Sequence, residues 1–446
     1  MRNKYEQCKR VYNYGVNILL LVLSTFIFSI IWNEKINILM NKPFEGKGNI
    51  LINIVYACVL LFMLYAFQGL KIGYFTLSNL LISRCIAYIC AHVIVTIQII
   101  LMVGTVDGCV AIILRMLETL AVNGGVCIIY TIAVTKIYNK LIPPYRMLMV
   151  YGDYDNNLKE KIDKRNDKYK IADEIYIGEN EAAIKEKILN YDAVVLNDIP
   201  TEKRKNLLKY CFEQDIRVYF VPKISDMFVK GADELKLFDT PVFLCRNIQL
   251  SFEQKLVKRI MDIALAMVLL ILTSPIMLIT LAAIKIEDGG TALYRQKRCT
   301  TNGKVFDVMK FRSMRMDAEK IGGVQLAKEN DSRITNVGKF IRKTRIDELP
   351  QLINILRGDM SFVGPRPERP ELVEENCKTV PEFSYRMKVK AGLTGYAQVY
   401  GKYNTTFLDK LKMDLLYIEK YSIWLDIQII FMTVKVVFMK ESTEGF

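Results

Sequence analysis

KRIMDIALAMVLLILTSPIMLITLAAIK, residues Lys258–Lys285, is the stretch whose reading decides the architecture. It is long enough to cross a bilayer, which takes about 20 apolar residues. A simple crossing would carry a strongly basic segment (Arg295, Lys297, Arg298, Lys304, Lys310, Arg312) to the far side, against the retention of Lys and Arg in the cytoplasm. Ser274-Pro275 falls mid-run. Proline lacks the N–H of a helical bond and clashes with the preceding turn, so it can bend a helix. The reading preferred over a fifth span is a re-entrant helix, over about 256–285, that dips in, turns at Ser274-Pro275 and leaves on the side it entered.

Upstream, four apolar runs lie near 14–32, 50–68, 79–103 and 109–135. Each is close to the length of a membrane span. Arg84, Gln98 and Arg115 interrupt them and should face other helices or the membrane surface. No small-x-small cleavage site follows the first run, which argues against a signal peptide. Lys4, Lys9 and Arg10 precede the runs and Lys136, Lys140 and Arg146 follow them, so both ends are expected in the cytoplasm. Three lysines in the 33–49 loop break the rule locally.

Between the apolar runs and Lys258, RMLMVYG, DEIYIGE, DAVVLND and IRVYFVP are short apolar strands separated by polar helical stretches. That alternation predicts a parallel, Rossmann-like sheet. The turn after its first strand, Tyr151-Gly152-Asp153-Tyr154-Asp155, holds a single glycine, so a dinucleotide fingerprint is missing. The domain reads as regulatory or structural. Residues 223–254 read as a linker back to the membrane.

Composition narrows the function. Apolar residues are 52% of the 446, and the net charge is +14. Such a chain suits anionic headgroups or phosphorylated substrates; no nucleic-acid motif is present. Ten cysteines without a C-x-x-C pair argue against a disulfide framework or a zinc site. The single histidine, His92, lies in an apolar run and reads as structural. A Ser-His-Asp triad is excluded, and base chemistry falls to carboxylates.

The densest chemistry is NVGKFIRKTRIDELPQLINILRGDMSFVGPRPER, Asn336–Arg369. Basic residues lead into the adjacent acids Asp347-Glu348, where a helix cap would sit, then a short apolar helix stopped by Gly358. Acids in a first helical turn are ordinary helix grammar. The basic cluster before them and the Gly364-Pro365-Arg366-Pro367 turn after them favour a site. There, two carboxylates could hold a metal ion and attack phosphorus. Just upstream, TALYRQKR and KVFDVMKFRSM predict a hairpin turning at Asn302-Gly303. Lys310 and Arg312 share one face of its second strand and are candidates for diphosphate contact, or a solvated basic face. Gly392, Gly395 and Gly401 are expected to let backbone approach a substrate, and 407–438 reads as an amphipathic segment that lies in the membrane interface, packs on the catalytic domain, or both.

RKTRIDELPQLINILRGDMSFVGPRPE, with KFRSM (Lys310–Met314) before it and KVKAGLTGYAQVYG (Lys388–Gly401) after it, resembles the monotopic phosphoglycosyl transferases, or bacterial sugar transferases. The resemblance covers most of residues 250–440, and its several motifs stand in order. Cys299-Thr300 departs from the Val-Gly usual after the arginine of RQ-x-R.

The resemblance implies transfer of a sugar-1-phosphate from a UDP-sugar to undecaprenyl phosphate with release of UMP, in the first membrane step of exopolysaccharide, capsule or O-antigen synthesis. It implies Asp347 as nucleophile and Glu348 as Mg²⁺ ligand, two roles that spacing does not separate. Arg342 and Arg366 would clamp phosphoryl oxygens, and Asp414 would be a further functional carboxylate. The same kinked membrane helix is implied, with its catalytic domain on the cytoplasmic face of the bacterial membrane. UDP-glucose or UDP-galactose is the expected donor, with a 2-acetamido sugar open.

The expected fold class is therefore membrane α plus α/β. A four-helix transmembrane bundle occupies 1–140, a Rossmann-like cytoplasmic domain 141–250, and an α-rich catalytic domain 251–446. The front half shows no chemistry of its own, which leaves it open to a homodimer contact. A non-catalytic scaffold of a polysaccharide assembly complex is the rival reading. A nucleotide-sugar dehydratase would need the missing fingerprint and a Tyr-x-x-x-Lys pair.

Overall fold

The chain opens with four long helices, α1 (Asn3–Ile31), α2 (Lys47–Ala66), α3 (Leu77–Val103) and α4 (Cys109–Leu141). In this computed structural model the described residues are 3–40, 42–103, 108–153, 156–237, 239–245, 250–316, 331, 333–401 and 405–437. They fall into two units, Met1–Pro222 and Lys223–Phe446.

In the first unit α1–α4 pack on one another. All four are long and apolar enough to cross a membrane. Some of their polar residues are bonded within the packing, as an apolar surround favours. Arg84 is fully buried and donates to Gly69 O (2.9 Å), Thr131 Oγ1 (2.7 Å) and Asn17 Oδ1 (3.0 Å). It thereby joins α1, α4 and the turn after α2. Arg115 instead pairs with Glu118 at the surface (3.1 Å). His92 is buried with Nδ1 2.8 Å from Tyr88 O, as a structural polar group would be.

The sheet that follows is parallel and four-stranded. Its strands are β1 (Tyr145–Tyr151), β2 (Tyr169–Tyr176), β3 (Ala193–Asn197) and β4 (Arg217–Phe220), in the order β2-β1-β3-β4. Side chains alternate between two covered faces. Leu148, Val150, Val194 and Leu196 meet α6 (Glu181–Ile188) and α7 (Thr201–Glu213), while Met147, Met149 and Val195 meet α5 (Leu158–Asp163). In such sheets ligands enter where the strand order reverses, here between β1 and β3. Protein fills that point. A side chain at Gly152 would stand 2.5 Å from Asp198 O, and buried Asn156 donates to Asn197 Oδ1 (2.7 Å). Tyr154 and Asp155 of the fingerprint position lie outside the described residues.

The second unit begins with α8 (Ile224–Lys230) and the antiparallel hairpin β5 (Asp233–Leu237) and β6 (Thr240–Leu244). The stretch read as a linker is thus folded. Next comes α9 (Phe252–Asp288), opened by a Ser251/Gln254 capping box and closed by Gly289 at φ +70°. Ser274-Pro275 does not interrupt it. Pro275 has no N–H for Ile271 O, and Ser274 Oγ donates to that carbonyl instead (2.8 Å); this local repair keeps the helix going. Residues near both ends of α9 are buried in this unit, Lys258, Asp262 and Ala266 at one end and Thr280 and Ile284 at the other. One side of its middle is bare, with Val268, Ile271, Leu272, Leu278 and Ile279 each more than half exposed, while Leu269, Leu270 and Met277 pack on the unit.

The hairpin β7 (Leu293–Cys299) and β8 (Val305–Phe311) pairs Leu293 with Phe311 and Cys299 with Val305. Asn302 and Gly303 both turn at positive φ. Then follow α10 (Asn336–Lys343), a 3₁₀ turn (Ile346–Glu348), α11 (Gln351–Arg357), β9 (Ser361–Val363) and α12 (Pro370–Thr379). A second 3₁₀ segment (Pro381–Lys388), β10 (Gly392–Thr394), α13 (Tyr396–Tyr400), α14 (Phe407–Glu419) and α15 (Ile423–Val437) complete the unit. Its core gathers Leu352, Ile355, Phe362, Val363, Leu411, Leu415 and Ile429. α14 and α15 contribute buried faces to it, so the amphipathic segment serves core packing.

Candidate active site

The site grows from the join between α10 and α11. Thr335 caps α10 by accepting from Gly338 N (2.9 Å). Gly338 is needed there, since a side chain would stand 2.0 Å from Ser313 O. The chain then turns at Arg345, whose φ of +59° is costly for a residue with a Cβ. That turn sets Asp347 and Glu348 in the 3₁₀ segment ahead of α11. Asp347 makes no capping bond, contrary to the cap expected there; Pro350 occupies the N-cap position of α11. Gly358, at φ +89°, stops α11.

α11 docks on the hairpin through Asn354, which is 1% exposed. Its amide donates to Asp307 O (2.8 Å) and accepts from Met309 N (3.0 Å), occupying the free edge of β8. This register brings Lys310 to the acid pair. Lys310 Nζ lies 3.1 Å from Glu348 Oε1, and Arg366 Nη2 lies 3.5 Å from the same oxygen.

The two acids have opposite environments. Asp347 is 9% exposed. Burial, and then the charge of Glu348, push its pKa up to about 6, against the pull of Lys310, Arg342 and Arg345. Burial also pushes Glu348 up, but Lys310, Arg366 and Arg345 outweigh it and hold the carboxyl at about 2. Neighbouring carboxyls pushed apart in this way take different chemical roles. Glu348 stays a fixed anion, while Asp347 is a poorly hydrated carboxylate that ionises just below neutrality.

Arg342 joins this field: burial lowers its pKa and Asp347 opposes that shift. Arg312 does not join it. Expected to contact phosphate beside Lys310, it is 8% exposed and committed elsewhere. Both of its terminal nitrogens bind the Asp288 carboxylate, and Nε donates to Thr291 O (2.7 Å).

Asp414 also lies apart from the pair. It is 1% exposed and ion-paired with Arg386 (2.7 Å). Burial raises its pKa to about 6 although Arg386 opposes this. Arg386 in turn donates to Arg366 O (3.1 Å), so Asp414 reaches the site through the proline turn.

That turn is strapped from several sides. Arg298 donates to Pro367 O (3.3 Å), Cys299 N to Glu368 O (2.9 Å), and Gly392 N to Pro365 O (2.9 Å). Thr300 Oγ1 donates to Asp359 O (3.0 Å) and accepts from Ala391 N (3.2 Å), so the Cys299-Thr300 departure adds a strap. The glycines correct an expectation. Side chains at Gly392 and Gly395 would each stand 2.1 Å from the Gly364 backbone, and one at Gly401 2.3 Å from Ala397 O. They admit this chain's own backbone. Arg298 and Arg386 escaped sequence reasoning because nothing local marks a basic residue that will meet a distant turn.

Among the described residues no group of three or more His, Cys, Asp or Glu side chains converges. Any cation here would have the Asp347-Glu348 oxygens and whatever a ligand brings. Mg²⁺ is commonly bound in that manner, by one or two carboxylates plus substrate phosphates, so the donor set fits it.

Residues 253–440 match the bacterial sugar transferase family. This C-terminal region belongs to that family. The chain is 36% identical over 264 residues to a UDP-N-acetylgalactosamine-undecaprenyl-phosphate N-acetylgalactosaminephosphotransferase of Aeromonas hydrophila, covering 56% of this chain and 59% of that relative. A UDP-glucose:undecaprenyl-phosphate glucose-1-phosphate transferase of Escherichia coli is 41% identical over 212 residues, 46% of this chain and 44% of the relative. A galactosyl transferase of Streptococcus agalactiae is 42% identical over 199 residues, 42% and 43% of the two chains. The chain spans about half the length of the curated relatives it matches. The family region contains the acid pair, the proline turn and α9.

Proposed function

We propose that this protein transfers a sugar-1-phosphate from a UDP-sugar to undecaprenyl phosphate at a bacterial cytoplasmic membrane, in the first membrane step of exopolysaccharide, capsule or O-antigen synthesis. The observation that carries the reading is the acid pair. Asp347 and Glu348 are adjacent and oppositely perturbed, with Lys310 and Arg366 on the Glu348 oxygen.

The reaction runs as two displacements. The Asp347 carboxylate attacks the β-phosphorus of the UDP-sugar. An oxygen–phosphorus bond forms, the bond from that phosphorus to the bridging oxygen breaks, and UMP leaves with the bond's electrons. An oxygen of undecaprenyl phosphate then attacks the sugar-phosphoryl-aspartate. The new diphosphate bond forms as the aspartyl bond breaks, and Asp347 returns as a carboxylate. Covalent catalysis divides one hard transfer into two and lets a polar and then a lipid substrate use one site.

Burial leaves Asp347 weakly solvated, which favours attack. Lys310, Arg342 and Arg366 offset the repulsion between its charge and the diphosphate, with guanidinium suited to bidentate contact. Glu348 and Asp347 would hold Mg²⁺, which when bound supplies charge neutralisation on the diphosphate. The relatives' names include glucose, galactose and N-acetylgalactosamine phosphotransfer; a glucose or galactose donor is our first choice for this chain.

In this reading α1–α4 form a transmembrane bundle, the parallel sheet has a structural or regulatory task, and α9 is re-entrant, bending at Pro275 while its helical run continues. Both ends of α9 are buried in one unit while one side of its apolar middle is bare, which favours dipping over crossing. The catalytic unit then stays on the cytoplasmic face.

The test is UMP release from a panel of UDP-sugars by the purified chain with Mg²⁺ and undecaprenyl phosphate. Release with one sugar, abolished by EDTA and by Asp347→Asn, is expected. No release from any sugar by folded protein would favour a scaffold; release surviving Asp347→Asn would discard the nucleophile.

A further inference from the structure

The acid pair sits on a segment whose two flanks are both fastened to α9. At the far end of that helix, the Glu287 carboxylate accepts from Asn336 N (2.8 Å) and from Val337 N (3.3 and 3.4 Å). These are the first amides of α10, where a helix leaves donors unsatisfied and its dipole favours an anion. At the near end, Arg259 donates to Ile355 O (2.6 Å) and Leu356 O (2.7 Å). These are the last carbonyls of α11, where the dipole favours a cation. Buried Asp262 then takes Ser361 Oγ (3.0 Å) and Phe362 N (2.9 Å). Lys258 anchors the same end in the core, 2.5 Å from buried Asp426.

Between the two grips lie the end of α10, the positive-φ Arg345, Asp347, Glu348 and the start of α11. Each contact matches the polarity of the helix end it closes. Nothing local requires this, because α9 is distant in sequence from the amides and carbonyls it caps. The exposed side of the middle of α9, between the grips, is the portion the preceding reading immerses in lipid.

We propose that Glu287 and Arg259 are positioning residues through which α9 sets the geometry of the acid pair, so that the course of this helix through the bilayer governs catalytic competence. The proposal rests on the phosphosugar-transfer reading for its kinetic consequence. It requires no contact between either residue and substrate.

The experiment uses the full chain in nanodiscs of phosphatidylethanolamine and phosphatidylglycerol. UMP release is measured for Arg259→Ala, Arg259→Lys, Glu287→Ala and Glu287→Gln. Expected are a kcat about tenfold lower in Arg259→Ala and about fivefold lower in Glu287→Ala, with KM for the UDP-sugar within about twofold of wild type, since binding groups are untouched. Lysine and glutamine each keep part of the cap and should recover much of the loss. Hydrogen exchange of amides 336–348 should accelerate in Glu287→Ala, and that of 351–362 in Arg259→Ala, with α1–α4 unchanged. Unchanged kcat and unchanged exchange in both alanine variants would overturn the proposal. So would a loss that tracks global unfolding and disappears on cooling. Should wild type release no UMP from any sugar, the functional reading fails, and the exchange measurement alone decides whether α9 grips the segment.

Discussion

Asp347 and Asp414 carry the same perturbation in different surroundings. Burial is the leading cause in both, and both are pushed up to about 6. Asp414 is sealed, with Arg386 as ion-pair partner and Arg386 bound onward to the Arg366 carbonyl. Asp347 keeps a small exposed face beside a permanently ionised Glu348, with Lys310 and Arg366 on that neighbour rather than on itself. A shifted pKa therefore does not mark a catalytic group by itself; structural ion pairs shift too. The difference lies in what holds each carboxylate: Asp347 keeps its small exposed face, while Asp414 is taken by a side chain that props a turn.

The largest expected contrast is in rate. Asp347→Asn should cut UMP release at least ~10³-fold by removing the nucleophile, whereas Asp414→Asn, which keeps an oxygen for Arg386, should retain at least about a tenth of the activity. Equal losses would collapse the distinction. Next, Arg366→Ala should cost about 10²-fold in kcat, the usual scale for a contact to developing charge. An intact rate there would move the phosphate contacts elsewhere.

The pH dependence sharpens the comparison further. Attack needs ionised Asp347, so kcat/KM for the UDP-sugar should rise with pH and reach half its plateau near 6. Lys310→Met should move that midpoint up, because Lys310 lowers the pKa of Asp347. A midpoint unmoved by the change would remove Lys310 from the field of the pair.

Stability carries the signature of both acids. Each holds its proton more tightly folded than unfolded, so the stability it contributes is fullest below about pH 4 and is lost as pH rises through about 6. Asp347→Asn and Asp414→Asn should each flatten the decline in thermal stability between about pH 4 and 6, on the order of 1–3 kcal/mol. The smallest expected effect is that of Arg312→Lys. It should lower stability by about 1–2 kcal/mol through the lost bidentate pair with Asp288, with KM for the UDP-sugar unchanged. A raised KM would return Arg312 to the phosphate site.

What the sequence determined by itself was whatever depends on near neighbours. Five long apolar runs, alternating strands, a turn at Asn302-Gly303 and a helix stop at Gly358 follow from periodicity and backbone preference over a few residues. The adjacency of Asp347 and Glu348 was legible for the same reason. What tertiary structure decided were the partners of charged and small residues. Lys310 and Arg312 point to one strand face, yet Asn354 on the edge of β8 brings one beside Glu348 while Asp288 at the end of α9 claims the other. Gly392 and Gly395 looked like openings for a ligand and are occupied by the Gly364 backbone. Pro275 stays inside the helix, and the hydroxyl beside it takes the carbonyl the proline cannot serve. A guanidinium or a missing Cβ has the same local pattern whatever it will meet. Only the fold, by bringing distant segments within 3 Å, selects the partner.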